Sequence, residues 1–190
     1  MSEPSVTVEL FDAAEMDAQV RKMAHQILGD FPDEERIKLV GIRRRGVSVA
    51  DRLAAHLSRI TGRGFDQGEI TLKRYSDALE VLHPVPVLTE AKIPFDVAGQ
   101  WIILVDDVFY TGLTQWSAIQ VILNHGSPEA VRVAVLASRL KGVIPIHAHY
   151  VGSYLSVAET DVIEVRVREY DGEERVILTG RGRPGAAAAS

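Results

Sequence analysis

Two adjacent carboxylates that end an apolar segment are the residues whose types and spacing point most directly to chemistry. Asp106 and Asp107 close the segment WIILVDDV, and the loop YTGLT, residues 110–114, follows shortly after. Carboxylate oxygens can accept hydrogen bonds from sugar hydroxyl groups or hold a hydrated divalent metal. Gly112 lets the loop approach a ligand closely, and the threonine hydroxyls can donate to phosphate oxygens. A ligand with a phosphate at one end and a diol at the other would satisfy both groups.

The elements around this pair predict where it lies in a fold. The apolar residues before Asp106 predict a strand, and residues 114–124 predict a helix that stops at Gly126. In parallel sheets ligands bind at the carboxyl ends of strands, and the first turn of a helix favours phosphate through its unpaired N–H groups. The alternative is that the aspartates and Thr114 only cap a strand-to-helix turn. No Walker A sequence is present, so a P-loop does not explain the motif.

The rest of the chain predicts an alternation of strands and helices. Near-continuous apolar strands between helices indicate an α/β fold with a parallel sheet covered on both faces. A passage with several prolines, from the strand at 69–72 to Gly99, is expected to be a mobile arm. The other predicted elements are a helix over 12–28 capped by Gly29, a strand over 37–42, a helix with Val49, Leu53, Leu57 and Ile60 on its apolar face, strands over 131–137 and 148–155, and a hairpin over 162–178 that turns at Asp171 and Gly172.

Composition sets the class of protein. The chain has 190 residues, 46% of them hydrophobic, which is enough for one core, and we expect one domain over 1–179 with a disordered tail over 180–190. A net charge of −5 argues against wrapping a long nucleic acid but leaves RNA binding open. The sequence has no cysteine, its first residues lack a secretory signal pattern, and no apolar stretch approaches the roughly 20 residues that span a bilayer. These features predict a cytoplasmic protein without a membrane partner.

The motif ILVDDVFYTGLT, residues 103–114, resembles the phosphoribosyl-pyrophosphate (PRPP) signature of the type I phosphoribosyltransferases. In that superfamily the two acidic residues hold ribose hydroxyls and the loop holds the 5′-phosphate. Four further segments stand in the order and spacing of the PyrR family, the pyrimidine operon attenuation regulators that also act as uracil phosphoribosyltransferases. These segments are LVGIRRRGVSVADRLA (39–54), IPFDV (93–97), VRVAVLASR (131–139) and IPIHAHYVG (144–152). The resemblance spans about residues 12–178.

The resemblance implies a set of site residues, of which Asp106, Asp107 and Arg45 would be catalytic. Mg²⁺ would bind through PRPP together with the two aspartates. The expected PRPP-binding residues are Asp106, Asp107, Val108, Phe109, Tyr110, Thr111, Gly112, Leu113 and Thr114. Those expected to meet pyrophosphate are Arg43, Arg44, Arg45 and Gly46, with Arg74 closing from the mobile arm, and those expected to contact the base are Tyr150, Val151 and Arg139. Each of these assignments has an alternative. The three arginines could form a solvated loop, Arg74 could be a plain surface residue, and Tyr150 could be buried in the core.

Several positions depart from the patterns of the resembled proteins. Leu113 stands where the family typically has arginine, so a cation beside the phosphate loop is lost while the backbone N–H groups remain. Ser138 stands where the family has aspartate, and His149 replaces an acidic residue, and both changes bear on the choice of base. Tyr110 occupies the position at which purine-using relatives carry an aspartate, which favours a pyrimidine base.

The sequence leaves three functions open. The first is a uracil phosphoribosyltransferase that makes UMP and pyrophosphate by displacement at the ribose anomeric carbon. The second is a nucleotide-sensing RNA-binding regulator with weak or absent catalysis, and the third is a phosphoribosyltransferase for another base. The resemblance implies a leader RNA as a partner and a homodimer or homotetramer. The candidate RNA-binding cations are Arg21, Lys22, Arg139 and Lys141.

Overall fold

A six-stranded sheet forms the centre of the fold. The structure is a computed structural model that describes residues 5–73, 86–139, 142–158 and 160–181. The strands are β1 (Ser5–Phe11), β2 (Ile37–Ile42), β3 (Gln67–Lys73), β4 (Val87–Lys92), β5 (Trp101–Phe109), β6 (Ala130–Arg139), β7 (Tyr150–Leu155), β8 (Val162–Arg166) and β9 (Arg175–Arg181). The helices are α1 (Ala13–Asp30), α2 (Arg45–Thr61), α3 (Leu113–His125) and α4 (Arg168–Asp171), with a 3₁₀ turn over Glu34–Arg36.

The central sheet has the strand order β4-β3-β2-β5-β6-β7, and all of its strands except the edge strand β4 are parallel. Helices α1 and α2 bury Met16 and Leu53 in an apolar cluster on one face of this sheet. Helix α3 buries Val121 and Ile122 in a second cluster on the other face. The predicted α/β fold with helices on both faces is confirmed, and the carboxyl ends of β2, β5 and β6 meet at one edge.

Strand β5 is buried on both faces, and its side chains alternate between the two clusters. Val105 packs in the cluster of α1 and α2, whereas Leu104 packs in the cluster of α3. Because successive side chains of a strand point to opposite faces, the two aspartates that follow separate as well. Asp106 lies on the face of α3, and Asp107 lies on the face of α2.

A second sheet, with the strand order β1-β9-β8, is antiparallel throughout. We call β1, β8, α4 and β9 the hood. The predicted hairpin is confirmed by the pairing of β8 with β9, but its strands are joined through α4 and Gly172, at φ 72°, rather than by a two-residue turn. Strand β1 was not predicted, since its partner β9 lies about 170 residues away in the sequence.

The helices differ from the predicted ones at their ends. The predicted cap at Gly29 is wrong: α1 continues through Asp30 to a cap at Phe31, and Gly29 is not among the glycines with positive φ. The predicted apolar face of α2 is confirmed through Leu57, whereas Ile60 is 43% exposed. The last turn of α2 therefore extends beyond the core.

The predicted mobile arm contains a strand that the sequence did not predict. Residues 87–92 form β4, which pairs with β3 and makes the edge of the central sheet. The prolines of the predicted arm, Pro84, Pro86 and Pro94, lie before and after this strand in the sequence and not within it. Arg74 lies outside the described residues. Among the described residues, no helix is both long and apolar enough to cross a membrane.

Candidate active site

Asp106 is a buried carboxylate whose two oxygens both accept hydrogen bonds. Only 7% of the surface of Asp106 is exposed. Oδ1 accepts from the backbone N–H of Asp107 at 2.9 Å, and Oδ2 accepts from the side-chain amide of Gln115 at 2.6 Å. Burial raises the pKa of Asp106 well above its usual range, the charge of Asp107 raises it further, and these donors act against both. Sequence reasoning missed Gln115, because only the packing of α3 against β5 brings it to Asp106.

Asp107 is held between its own backbone and the start of α2. Its Oδ1 accepts from the N–H of Val108 at 2.9 Å. Burial raises the pKa of Asp107, whereas its hydrogen bonds and the charge of Arg45 lower it. The structure thus brings the two predicted aspartates together with the predicted Arg45.

The guanidinium of Arg45 is bound by the hood. Its Nη2 lies 2.8 Å from Oδ1 of Asp171, and its Nε donates to the other oxygen of that carboxylate at 3.2 Å. Glu164 adds a second carboxylate 3.6 Å away. The hydrogen bond to Asp171 raises the pKa of Arg45, so the guanidinium stays charged beside Asp107. The cation expected to meet pyrophosphate is therefore positioned by acidic residues from the far end of the chain.

The arginine loop sits between β2 and α2. Arg43 donates its N–H to the carbonyl of Ile70 at 2.8 Å, and the peptide bond between Arg43 and Arg44 is cis. The helix α2 includes Arg45 and Gly46, which were expected to belong to the loop. A Cβ at Gly46 would lie 2.7 Å from the carbonyl oxygen of Val105, so this glycine lets α2 begin directly against β5.

The loop of residues 110–114 leads directly into the first turn of α3. Gly112 adopts φ 84° and is the N-cap of α3, which begins at Leu113. Gly112 has no side chain to cap this helix, and the N–H of Leu113 makes only a long contact of 3.4 Å with the hydroxyl of Thr111, so N–H groups of the first turn can bind a ligand. A Cβ at Gly112 would lie 3.0 to 3.2 Å from Phe109, Ile144 and Ile146. Positive φ and close packing both require glycine here.

These elements surround a cavity of about 250 Å³. It lies where the carboxyl ends of β2 and β5 meet the hood. Its lining residues are Ile42, Arg43, Leu72, Pro86, Asp106, Asp107, Val108, Tyr110, Thr114 and Ile163. The described residues contain no group of three or more side chains able to hold a metal ion. A pair of carboxylates fits Mg²⁺ that takes most of its ligands from phosphate and water, because this ion rarely needs a cage of protein groups.

Tyr110 ties the phosphate loop to the hood. Its hydroxyl donates to the carbonyl of Ile163 at 2.6 Å and accepts from the N–H of the same residue at 2.7 Å. Ile163 lies on β8, an edge strand of the hood, so the tyrosine satisfies backbone groups that no strand pairs with. The guanidinium carbon of Arg139 lies 5.4 Å from the centroid of the Tyr110 ring. Arg139 is therefore near the cavity, as expected for a residue at the end of β6.

Tyr150 and Val151, the other residues expected to contact the base, do not line the cavity. Tyr150 is 2% exposed, packs in the cluster of α1 and α2, and donates its hydroxyl to Asp30 at 2.8 Å. Val151 is buried in the cluster of α3. Tyr150 is thus a core residue, which was the alternative considered for it, and its placement does not support the predicted stacking on a base. Strand β7 begins at Tyr150, so His149 precedes the strand rather than lying in it.

The sequence matches a known protein family over most of its length. The family model described as a phosphoribosyl transferase domain matches residues 7–171. Bifunctional protein PyrR of Elusimicrobium minutum is 39% identical over 88% of this chain and 93% of its own length. Bifunctional protein PyrR of Thermus thermophilus is 36% identical over 91% of this chain and 96% of its own.

The structural comparison supports the fold alone. A hypoxanthine-guanine phosphoribosyltransferase of Bacillus anthracis superposes with a TM-score of 0.69, at 19% identity, over 95% of this chain and 99% of the other. A hypoxanthine phosphoribosyl transferase of Trypanosoma cruzi gives a TM-score of 0.72 at 16% identity, over 92% and 91%. The likeness extends over nearly the whole of each chain.

Replacing Tyr110 with phenylalanine should destabilise the protein. The substitution keeps the ring but leaves the N–H and the carbonyl of Ile163 without their partner, which should lower the free energy of unfolding by about 1 to 3 kcal/mol. Denaturant unfolding measures the difference. Tyr154→Phe, at a tyrosine that is 62% exposed, is the matched control and should change little. Equal stability of the two variants would mean that the hood does not depend on this hydroxyl.

Proposed function

The chain belongs to the PyrR family of phosphoribosyltransferases, and we propose that it transfers the phosphoribosyl group of PRPP to uracil and releases pyrophosphate. The observation that carries this proposal is the convergence on one cavity of the aspartate pair, Thr114 in the first turn of α3 and Arg43 of the loop before α2. A diol, a monophosphate and a pyrophosphate are the three parts of PRPP that these groups suit.

Each part of the site has its own task in the proposed reaction. The N–H groups at the start of α3 bind the 5′-phosphate, and Asp106 and Asp107 accept hydrogen bonds from the ribose hydroxyls. Pyrophosphate leaves the anomeric carbon as a base nitrogen attacks, through a transition state with oxocarbenium character. The positive charges of Arg43 and Arg45 stabilise the negative charge that develops on the leaving group.

Mg²⁺ is part of the proposal, and Asp106 and Asp107 are the residues that would hold it. When bound, the ion would neutralise charge on the pyrophosphate. Burial raises the pKa of Asp107, and the charge of Arg45 lowers it, which favours the ionised form that suits both a metal and a ribose hydroxyl. Arg74, in the segment outside the described residues, completes the proposed pyrophosphate contacts.

The wider proposal concerns the whole protein. Residues 1–179 would form one domain that acts in the cytoplasm, as a homodimer or a homotetramer. The bifunctional names of the relatives favour a regulatory role beside the enzymatic one. A plain regulator without catalysis has less support, because the chain carries the aspartate pair, the loop and the arginines that a catalytic site would use.

Asp107→Asn should sharply reduce turnover of PRPP without unfolding the protein. One charged contact to ribose and metal is lost, which should remove about 2 to 4 kcal/mol of transition-state stabilisation. Pyrophosphate release in the presence of uracil and Mg²⁺ gives kcat/KM, and circular dichroism reports the fold. Asp33→Asn, at an exposed residue whose side chain makes no capping hydrogen bond, is the control. A folded variant with unchanged turnover would remove Asp107 from the site.

Uracil should be the best substrate among the common bases. Tyr110 occupies the position of the aspartate that purine-using relatives carry, and its hydroxyl is engaged by Ile163 rather than by a ligand. A site that hydrogen-bonds one base edge rejects mismatched edges by large factors. Pyrophosphate release should be compared across uracil, hypoxanthine, guanine, xanthine and orotate. A higher kcat/KM for hypoxanthine or guanine would overturn the pyrimidine proposal.

Binding to a pyrimidine leader RNA should be at most moderate in affinity and should weaken steeply with salt. Two of the candidate cations already have partners, since Lys22 donates to Gly152 and Arg139 donates to Ala158. Arg21 is exposed, and Lys141 lies outside the described residues. Each phosphate contact should add about 0.7 to 0.9 to the slope of log K against log salt. A gel-shift titration with and without UMP tests this, and no binding at low salt would leave an enzyme without the regulatory role.

A further inference from the structure

Gln115 is a buried polar side chain that contacts one of the proposed catalytic carboxylates. It is 2% exposed and lies in the first turn of α3, three residues after the N-cap Gly112. A glutamine at this position of a helix commonly reaches back to the backbone of the N-cap. Here its amide instead donates to Oδ2 of Asp106 at 2.6 Å.

This contact fixes the orientation of the Asp106 carboxylate. Oδ1 is already bound by the N–H of Asp107, so the carboxylate is held at both oxygens by groups of different elements. A carboxylate oxygen that is buried without a donor is costly, so without Gln115 the group would rotate away to find one. That rotation would spoil a group that has to accept a hydrogen bond from a ribose hydroxyl.

The contact also joins two parts of the proposed site. Gln115 directly follows Thr114, which lines the cavity beside the phosphate loop. The same helical turn therefore offers N–H groups to a phosphate and holds the carboxylate that faces the ribose. The spacing between the two binding groups is set within this turn and the adjacent β5.

We propose that Gln115 is a positioning residue, which holds the Asp106 carboxylate in the orientation that PRPP binding and transfer require. This inference rests on the proposed function, since it assigns Asp106 to the ribose of PRPP. Gln115 does not touch the substrate and acts only through Asp106. An apolar side chain of the same length would fill the space without supplying the donor.

The split between KM and kcat separates this role from a merely structural one. An Asp106 carboxylate that has lost its orientation accepts poorly from a ribose hydroxyl, so the KM for PRPP rises. A variant that is only less stable loses active molecules, which lowers the apparent kcat and leaves the KM for PRPP where it is.

Gln115→Met and Gln115→Glu are the informative variants. Methionine keeps the length without the donor, and glutamate keeps the shape but puts a second carboxylate against Asp106. Both should raise the KM for PRPP and lower kcat/KM by about tenfold to a hundredfold, the glutamate variant by more. Gln120→Met, at an exposed glutamine of the same helix, should match the wild type. Wild-type values for a folded Gln115→Met would overturn the inference.

Calorimetric titration with PRPP and Mg²⁺ gives a readout that does not depend on turnover. Gln115→Met should bind PRPP more weakly than the wild type. Should the wild type bind PRPP but release no pyrophosphate with any base, the proposed transferase function fails, and the binding data still decide the role of Gln115. A wild type that neither binds nor turns over PRPP would overturn both.

Discussion

The placement of two neighbouring carboxylates, Asp106 buried and Asp107 half-buried, at the end of one strand is the constraint that shapes this protein. Two negative charges one residue apart are costly inside a protein unless donors or cations reach both. The alternation of side chains along β5 sends them to opposite faces, so two different helices have to supply the partners. Helix α3 brings Gln115 to Asp106, and helix α2 brings Arg45 beside Asp107. The positions of both helices on the sheet are thereby tied to the chemistry of the site.

The hood is attached through residues that belong to the same site. Arg45 reaches Asp171, and Tyr110 satisfies the open edge of β8 at Ile163. Farther from the cavity, the guanidinium of Arg52 binds Glu174 at 2.6 Å. The second sheet therefore contacts the start of α2 and the phosphate loop together, and Ile163 of the hood lines the cavity beside Asp106, Asp107 and Val108 of β5.

Local patterns predicted the parts of the site that depend on neighbouring residues. Sequence analysis predicted the apolar strand β5, the glycine at position 112 and the helix that follows it. Each of these features depends on a few adjacent residues. The direction of the Tyr150 side chain depends on how β7 pairs with β6, so its burial against α1 could not be predicted from the sequence. The contact of Gln115 with Asp106 and the pairing of β1 with β9 join segments that only the folded chain brings together, and the sequence carries no local sign of either.

The strand order of the hood bears on how the protein forms during synthesis. Strand β9 lies between β1 and β8, and these two do not pair with each other among the described residues. Until β9 has been made, β1 and β8 therefore have no strand partner in this sheet, and Glu164 and Asp171, which hold Arg45, belong to an incomplete layer. The strands of the central sheet all precede β8 and β9 in the sequence. Pairing of β1 with β9 joins segments about 170 residues apart, and such non-local contacts are slow to form because a long loop has to close.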